Sequence, residues 1–358
     1  MSENTEKSAL HESNSSPDSK NFSATSAEKI KNFRKQNLSV EELLKDLLKG
    51  NKTALGKAIT MIESNQIKHQ QISQKIIEGA LPYTKKSIRI GITGVPGVGK
   101  STFIESFGTY LTKMGRKVAV LAVDPSSSLT RGSILGDKTR MEDLVKDKNA
   151  FIRPSPSGDS LGGVAKKTRE SILLCEAAGF EVILIETVGV GQSETTVHSM
   201  TDFFLLLKLA GAGDELQGIK RGIIEMADAI VINKADGDNM KAAQHAKLEF
   251  KRALHLYPIK ENNWKPKVSL CSALYDIGIA EIWELISEFE TQTKENGHFE
   301  KKRIEQNKFW LYQTINDHLK SRFYQNKKIK PALEKQLKLI EENKTTAYAA
   351  AKYLLELD

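Results

Sequence analysis

The sequence has little cysteine and no long apolar run. Its two cysteines, Cys175 and Cys271, lie in apolar neighbourhoods, and their spacing does not suggest a metal site. The longest apolar stretch, residues 203–213, includes Lys208 and is far too short to cross a bilayer. These absences argue against a cysteine metal centre and a membrane-spanning protein. We expect two buried thiols in a reducing compartment.

The first 36 residues differ in composition from the rest of the chain. They are rich in Ser, Asn, Lys and Glu and include the acidic residues Glu3, Glu6 and Glu12. They lack the apolar core of a secretory signal, and they do not resemble the Arg-rich, acid-poor segments that direct import into mitochondria. We therefore expect residues 1–36 to form a disordered tail and the protein to be cytoplasmic.

The chain has a formal net charge of +8, which raises the question of a nucleic-acid partner. The lysines are dispersed, however. Their densest group, residues 320–338, is typical of solvated helix faces, because it lacks the interleaved aromatic side chains of a single-strand binder. We expect neither a nucleic-acid nor a membrane partner.

Hydrophobic periodicity divides the remaining chain into three parts. A capping box that begins at Ser39, followed by leucines at helical spacing, predicts an N-terminal helical segment over residues 37–85. Residues 86–290 are expected to form the main domain and residues 291–358 a C-terminal helical arm. Trp310 in this arm is expected to lie in a core or a self-association face.

Short β-branched runs alternate with amphipathic stretches between residues 87 and 273. This alternation predicts an α/β fold, a doubly wound and mostly parallel sheet covered by helices. In such sheets ligands bind at the carboxyl ends of the strands, so motifs that end separate strands converge on one site. The candidate strands are residues 88–93, 118–123, 182–186, 203–209, 229–233 and 268–272.

A phosphate-binding loop follows the first of these strands. Gly94, Gly99, Lys100 and Ser101 have the spacing of the G-x-x-x-x-G-K-S motif, and a predicted helix comes next. The glycines allow backbone N–H groups to face phosphates, Lys100 reaches the outer phosphates, and the Ser101 hydroxyl coordinates magnesium. The expected nucleotide-binding segment is Gly94, Val95, Pro96, Gly97, Val98, Gly99, Lys100, Ser101 and Thr102.

Two further motifs indicate that the base is guanine. Asn233 and Lys234 begin the tetrapeptide that ends in Asp236, a carboxylate that can accept from both the ring N–H and the exocyclic amine of guanine. Adenine cannot supply that pair of donors. A second segment closes the last predicted strand and is expected to belong to the same base pocket, and its residues are Ser272, Ala273 and Leu274.

Carboxylates at other strand ends predict a magnesium site. Glu186 stands where most small GTPases have Asp in the D-x-x-G motif, and Gly189 can donate its N–H to the terminal phosphate. Asp124 ends another predicted strand, Asp137 lies in a polar loop, and either could supplement the metal shell or position the attacking water. We expect Ser101, Asp124, Asp137 and Glu186 to serve the metal, with GTP or GDP and Mg²⁺ as the bound species.

Together these segments resemble the MeaB- and ArgK-type GTPases of the SIMIBI class, which are associated with methylmalonyl-CoA mutase. The resemblance extends over about residues 40–325. Besides the phosphate-binding loop, it is carried by residues 47–50, 58–60, 124–127, 132–141, 186–194 and 214–220.

The resemblance implies a homodimer that hydrolyses GTP to gate delivery of adenosylcobalamin to an acyl-CoA mutase and to protect that mutase. It implies that the Asp124, Asp137 and Glu186 positions serve magnesium and switching. Arg140 and Lys220 are basic residues in the expected switch loops, and we expect them to complete the catalytic site when the mutase is bound. Hydrolysis without the partner should be slow.

Two other activities fit a P-loop fold. A GTPase that inserts nickel would need a Cys or His cluster, whereas the seven histidines here are scattered. A kinase that uses GTP to phosphorylate a small molecule would need an acceptor-activating base, and the sequence identifies none.

Overall fold

The computed structural model describes residues 39–64, 66–84, 87–123, 141–154, 161–187, 193–211 and 221–357. The tail expected over residues 1–36 lies outside these ranges. The domain boundaries proposed from the sequence stay predictions.

Three short helices precede the sheet, α1 (Val40–Leu48), α2 (Lys52–Glu63) and α3 (Ile67–Ala80). The capping box predicted at Ser39 is present, because the Ser39 hydroxyl accepts from the Glu42 N–H at 3.1 Å and the Glu42 carboxylate accepts from the Ser39 N–H at 3.2 Å. Gly50 has the left-handed φ of 80° that ends α1, and the Asn51 side chain then caps α2.

The centre of the molecule is a seven-stranded sheet in the order β3-β2-β4-β1-β5-β6-β7, and all its strand pairs are parallel. The inner strands are buried along most of their length, as apolar strands covered on both faces must be. The strands are β1 (Ile88–Thr93), β2 (Val118–Val123), β3 (Ala150–Arg153), β4 (Val182–Thr187), β5 (Phe203–Leu209), β6 (Ala229–Asn233) and β7 (Lys267–Leu270).

The sheet confirms the predicted α/β fold, with three local differences. β3 was not predicted, because it is a four-residue edge strand with three half-buried side chains and gives no clear periodicity. β4 extends one residue further, to Thr187. β7 ends at Leu270 rather than at Ser272, because Ser272 turns back to pair with Ile277 in an antiparallel bridge.

Helices cover both faces of the sheet. On one face α4 (Lys100–Lys113), α5 (Glu142–Lys146) and α10 (Ile279–Glu295) form one core with β1 and β5. On the other face α1 to α3 and α6 (Leu161–Ala177) form a second core. A third, smaller core joins α8 (Arg221–Met226) and α9 (Met240–Leu254) to β5 and β6. A short helix, α7 (Ser193–His198), follows β4.

The C-terminal part is helical, as predicted, with α11 (His298–Gln325), α12 (Ile329–Glu341) and α13 (Ala347–Leu355). Trp310 on α11 is 6% exposed and belongs to the second core. Its indole N–H donates to the Ser199 carbonyl at 3.3 Å, and the Arg169 guanidinium lies over its ring. Among the described residues, no helix combines the length and apolar character that a membrane crossing needs.

A buried network of charges attaches the base of α11 to the sheet. The Arg303 guanidinium donates to both Asp202 carboxylate oxygens, at 2.8 and 2.6 Å, and to the Ser87 carbonyl at 2.7 Å. Arg89 donates to Glu176 on α6 at 2.8 and 2.9 Å, while its backbone N–H donates to Asp202. The network therefore joins α11, β1, α6 and the residue before β5.

Burial opposes ionisation of Asp202, but hydrogen bonds and charge from Arg303 outweigh it and hold the pKa of the Asp202 carboxyl below its usual value. A carboxyl whose pKa is depressed in the folded state stabilises the fold above its unfolded pKa. That stabilisation is lost as the pH falls through the folded pKa.

We predict that Arg303→Ala lowers the free energy of unfolding by about 3–5 kcal/mol at pH 7, because it leaves buried carboxylates without their cation. Urea unfolding measures this change. The matched control is Lys301→Ala, whose exposed side chain lies 3.8 Å from Glu261 and should cost less than about 1 kcal/mol. If both variants lower the free energy of unfolding by the same amount, the buried network does not stabilise the fold as predicted.

Candidate nucleotide-binding site

The phosphate-binding loop connects the carboxyl end of β1 to the start of α4, as the sequence predicted. Gly99, at the N-cap of α4, has a φ of 93°, and a Cβ there would lie 2.7 Å from the Asn233 amide nitrogen. A Cβ on Gly94 would lie 2.6 Å from the Leu207 carbonyl oxygen. Both positions therefore require glycine for close backbone approach, and the N–H groups at the start of α4 suit an anion.

Lys100 is the cation of this loop. Its ammonium donates to the Gly94 carbonyl at 2.8 Å and to the Val95 carbonyl at 3.3 Å, and only 9% of the residue is exposed. Burial lowers the pKa of Lys100, against the opposing charges of Glu186 and Glu194. The loop thus holds a largely desolvated ammonium, a cation that forms strong charge-assisted hydrogen bonds with phosphate oxygens, and the charges of Glu186 and Glu194 favour its protonated form.

Asn233, the last residue of β6, joins the phosphate-binding loop to the segment after β7. Its amide nitrogen donates to the Val98 carbonyl at 2.8 Å. Its amide oxygen accepts from the Ala273 N–H at 3.2 Å and from the Cys271 thiol at 3.3 Å. The described contacts of Asn233 therefore position the loop and the expected base segment relative to each other.

Cys271 is a residue whose place in this site the sequence reasoning missed. It was expected to be a buried thiol of no special role, and burial does raise its pKa to about 12. The thiol therefore stays protonated, and it donates to Asn233 and helps to orient that amide. The available signal was its position directly before Ser272 and Ala273.

The expected base-binding residues lie together. The Ser272 hydroxyl donates to the Asp236 carboxylate, and Ser272 is fully buried. Lys234 has a left-handed φ of 58°, unusual for a residue with a side chain, and its ammonium donates to the Gly97 carbonyl at 3.1 Å. This strained conformation lays Lys234 across the phosphate-binding loop. Leu274 is 71% exposed at the edge of the group.

Glu186 lies next to the phosphate-binding loop on β4. Its backbone is in register with Ile92 of β1 and Ala122 of β2, and its charge acts on Lys100. The following residue, Thr187, donates its hydroxyl to the Thr93 hydroxyl at 2.9 Å, which fixes the end of β4 against the end of β1.

Ser101 and Thr102 occupy the first turn of α4, where Ser101 is half-buried and Thr102 is exposed. Five other expected site residues, Asp124, Asp137, Arg140, Gly189 and Lys220, lie outside the described residues.

The described oxygen donors fit a magnesium ion held mainly by phosphates. Hydroxyl and carboxylate oxygens, such as those of Ser101 and Glu186, are ligands that Mg²⁺ prefers, and Mg²⁺ commonly keeps several waters. Within the described ranges, no group of three His, Cys, Asp or Glu side chains is arranged to hold a metal ion.

Comparison with known proteins agrees with this geometry. Residues 55–328 match the model of the family described as "Methylmalonyl Co-A mutase-associated GTPase MeaB". The chain is 44% identical over 318 residues to "GTPase ArgK" of Escherichia coli, covering 89% of this chain and 96% of that protein. It is also 44% identical over 317 residues to the mouse "Methylmalonic aciduria type A homolog, mitochondrial", covering 86% of this chain and 75% of that protein.

A solved structure also resembles this chain in fold and in sequence. The crystal structure named "LAO/AO transport system kinase" matches with a TM-score of 0.73 and 38% identity, covering 90% of this chain and 98% of that one. The fold, the phosphate-binding loop and these similarities support one conclusion: the chain belongs to the family of methylmalonyl-CoA mutase-associated GTPases.

Proposed function

We propose that this protein binds GTP with Mg²⁺ and serves as a chaperone of an adenosylcobalamin-dependent acyl-CoA mutase such as methylmalonyl-CoA mutase. Hydrolysis of GTP would gate delivery of the cofactor and protect the mutase. The observation that carries the proposal is the family match over residues 55–328, which includes the phosphate-binding loop, Glu186 and Asp236.

The described residues suggest how the nucleotide is held. The N–H groups of the loop and of the first turn of α4 would surround the phosphates, and Lys100 would exchange its carbonyl partners for the outer phosphate oxygens. Asp236, oriented by Ser272, would accept from guanine. Mg²⁺, when bound through Ser101 and Glu186, would neutralise charge on the phosphates.

Hydrolysis would need groups beyond those that the structure describes. We assign Asp124, Asp137 and Gly189 to the metal and the terminal phosphate, and Arg140 and Lys220 to completing the site when the mutase binds. Unstimulated hydrolysis would then be slow, because positioning and charge stabilisation supply most of the acceleration in phosphoryl transfer.

The arm offers a surface for the proposed homodimer. Along α11, Leu311, Ile315 and Leu319 recur every four residues and are 59%, 46% and 52% exposed, so they form one apolar stripe. A stripe of this kind marks a protein contact, and a second copy of the arm would bury it.

The cytoplasmic location likewise stays a prediction.

The name of the matched crystal structure supports one competing activity, transfer of the phosphoryl group to an acceptor. Thin-layer analysis of γ-labelled GTP, with and without a mutase, separates the two. Free phosphate as the labelled product supports the GTPase, whereas label on a small molecule supports the kinase.

We predict that Asp236→Asn weakens GTP binding at least about 100-fold, because the amide oxygen accepts less strongly than a carboxylate and the amide NH₂ opposes the guanine donors. The variant should prefer xanthosine triphosphate, whose carbonyl replaces the exocyclic amine. Fluorescent-nucleotide titration measures both affinities. Asp238→Asn, an exposed neighbour, is the control. Unchanged affinity for GTP in Asp236→Asn would contradict the assignment.

We predict that Lys220→Ala removes most of the mutase-stimulated GTP hydrolysis and leaves the slow unstimulated rate within about twofold, because the lysine would act only in the complex. Phosphate release with and without methylmalonyl-CoA mutase measures this effect. Lys241→Ala, on the exposed surface of α9, is the matched control. Stimulation equal to wild type in Lys220→Ala would count against the role.

We predict that Leu311→Asp combined with Ile315→Asp converts a dimer into a monomer, because paired carboxylates cannot be buried in an apolar contact. Sedimentation equilibrium measures the mass. Leu248→Asp changes a similarly exposed leucine on α9 and should leave the dimer intact. A wild-type chain that sediments as a monomer would rule out the dimer.

A further inference from the structure

A cavity of about 770 Å³ lies far from the phosphate-binding loop, at the opposite end of the sheet. It opens to solvent on one side and is bordered by α8, the end of α9, the connection over residues 255–266 and the start of β7. Because the strands are parallel, the amino end of β7 faces away from the edge where the nucleotide motifs converge. The nucleotide site does not account for this cavity.

The walls of the cavity are largely apolar and are already formed. Ile224, Leu254, Tyr257 and Val268 line it and pack with the third core. Trp264 also lines it and is fixed, because its indole N–H donates to the Asp228 carbonyl at 2.9 Å and its ring meets Phe289 edge to face. A partly open pocket of this volume with apolar walls is typical of a small-ligand site.

Positive charge surrounds the cavity. Its lining includes five lysines but only two carboxylates, those of Glu225 and Glu261. Two of the lysines are neutralised, since Lys260 pairs with Asp228 at 2.8 Å and Lys267 with Glu288.

The lining also includes Lys247, Lys251 and Lys265. These three lysines form no ion pair with any residue that the structure describes. The rim therefore complements an anion, and the walls complement an apolar body.

The edge of the sheet does not favour an added peptide strand here. β7 is an edge strand of four residues, Pro266 stands directly before it, and Lys267 is exposed at its start. Short length, proline and lysine all discourage strand addition at a sheet edge. The partly open pocket is therefore better matched by a compact ligand.

We propose that this cavity binds a small amphipathic organic anion. The aromatic or aliphatic body would lie against Leu254, Tyr257 and Val268, whose side chains are half-buried in the lining. A carboxylate, sulfonate or phosphate group would be held by Lys247, Lys251 and Lys265. This site is independent of the proposed GTP-linked function, so either can fail without the other.

The test compares two fluorescent probes that share an aromatic body and differ in charge. One is 8-anilinonaphthalene-1-sulfonate, which is anionic, and the other is N-phenyl-1-naphthylamine, which is neutral. In the full-length wild-type chain the anionic probe should bind at one saturable site at least about tenfold more tightly than the neutral one. Its affinity should fall as the ionic strength rises from about 0.05 to about 0.5 M, because exposed charges are screened.

Three variants locate the binding. Lys247→Gln/Lys251→Gln/Lys265→Gln should raise the Kd of the anionic probe at least tenfold and leave the neutral probe unchanged. Ile259→Asp places a carboxylate on the exposed lip of the cavity, where Ile259 is 68% exposed, and should also exclude the anion. The matched control removes three exposed lysines outside the cavity, Lys241→Gln/Lys308→Gln/Lys330→Gln, and should bind like wild type.

Thermal unfolding confirms that each variant remains folded. The proposal is overturned if the anionic probe has the same Kd in wild type, in the cavity-lysine variant and in Ile259→Asp. It is also overturned if the anionic probe binds no better than the neutral one while a Glu-rich amphipathic peptide binds and Ile259→Asp abolishes that binding. That result would identify a surface for a protein partner.

Discussion

The Asn233 side chain holds the nucleotide edge of the sheet together. Its amide nitrogen is bound to the phosphate-binding loop through Val98, and its amide oxygen is bound to the segment after β7 through Ala273 and Cys271. The amide is buried, so each of these hydrogen bonds would be costly to leave unmade. A single side chain thereby sets the distance between the part of the site suited to phosphates and the part suited to a base.

Much of this edge could be predicted from the sequence, because strand endings and turn glycines have local signatures. The spacing of Gly94, Gly99 and Lys100 gives the loop, and the apolar runs before it and before Asn233 give the strands. The links between these segments could not be predicted. The contact between Lys234 and Gly97 spans 137 residues of chain and depends on a left-handed backbone at Lys234, which no local pattern indicates.

The parts that sequence reasoning missed share a physical cause. β3 is short and lies at the edge, so its side chains need not alternate between buried and exposed. The network of Arg89, Glu176, Asp202 and Arg303 includes a hydrogen bond from Arg303 to Ser87, 216 positions away in the chain, and charged residues in a sequence usually indicate solvent. Only the fold reveals that these four side chains compensate one another away from water.

The anchoring of α11 at one end has a mechanical consequence. The helix has 28 residues and therefore extends about 42 Å, and Arg303, Gln306 and Trp310 in its first half hydrogen-bond to the segment that leads into β5. Beyond Trp310 the helix continues to Gln325, a length of about 22 Å, and a tilt of about 5° at Trp310 would displace its far end by about 2 Å. The arm can thus act as a lever that converts a small rotation of its anchored half into a larger displacement at its far end.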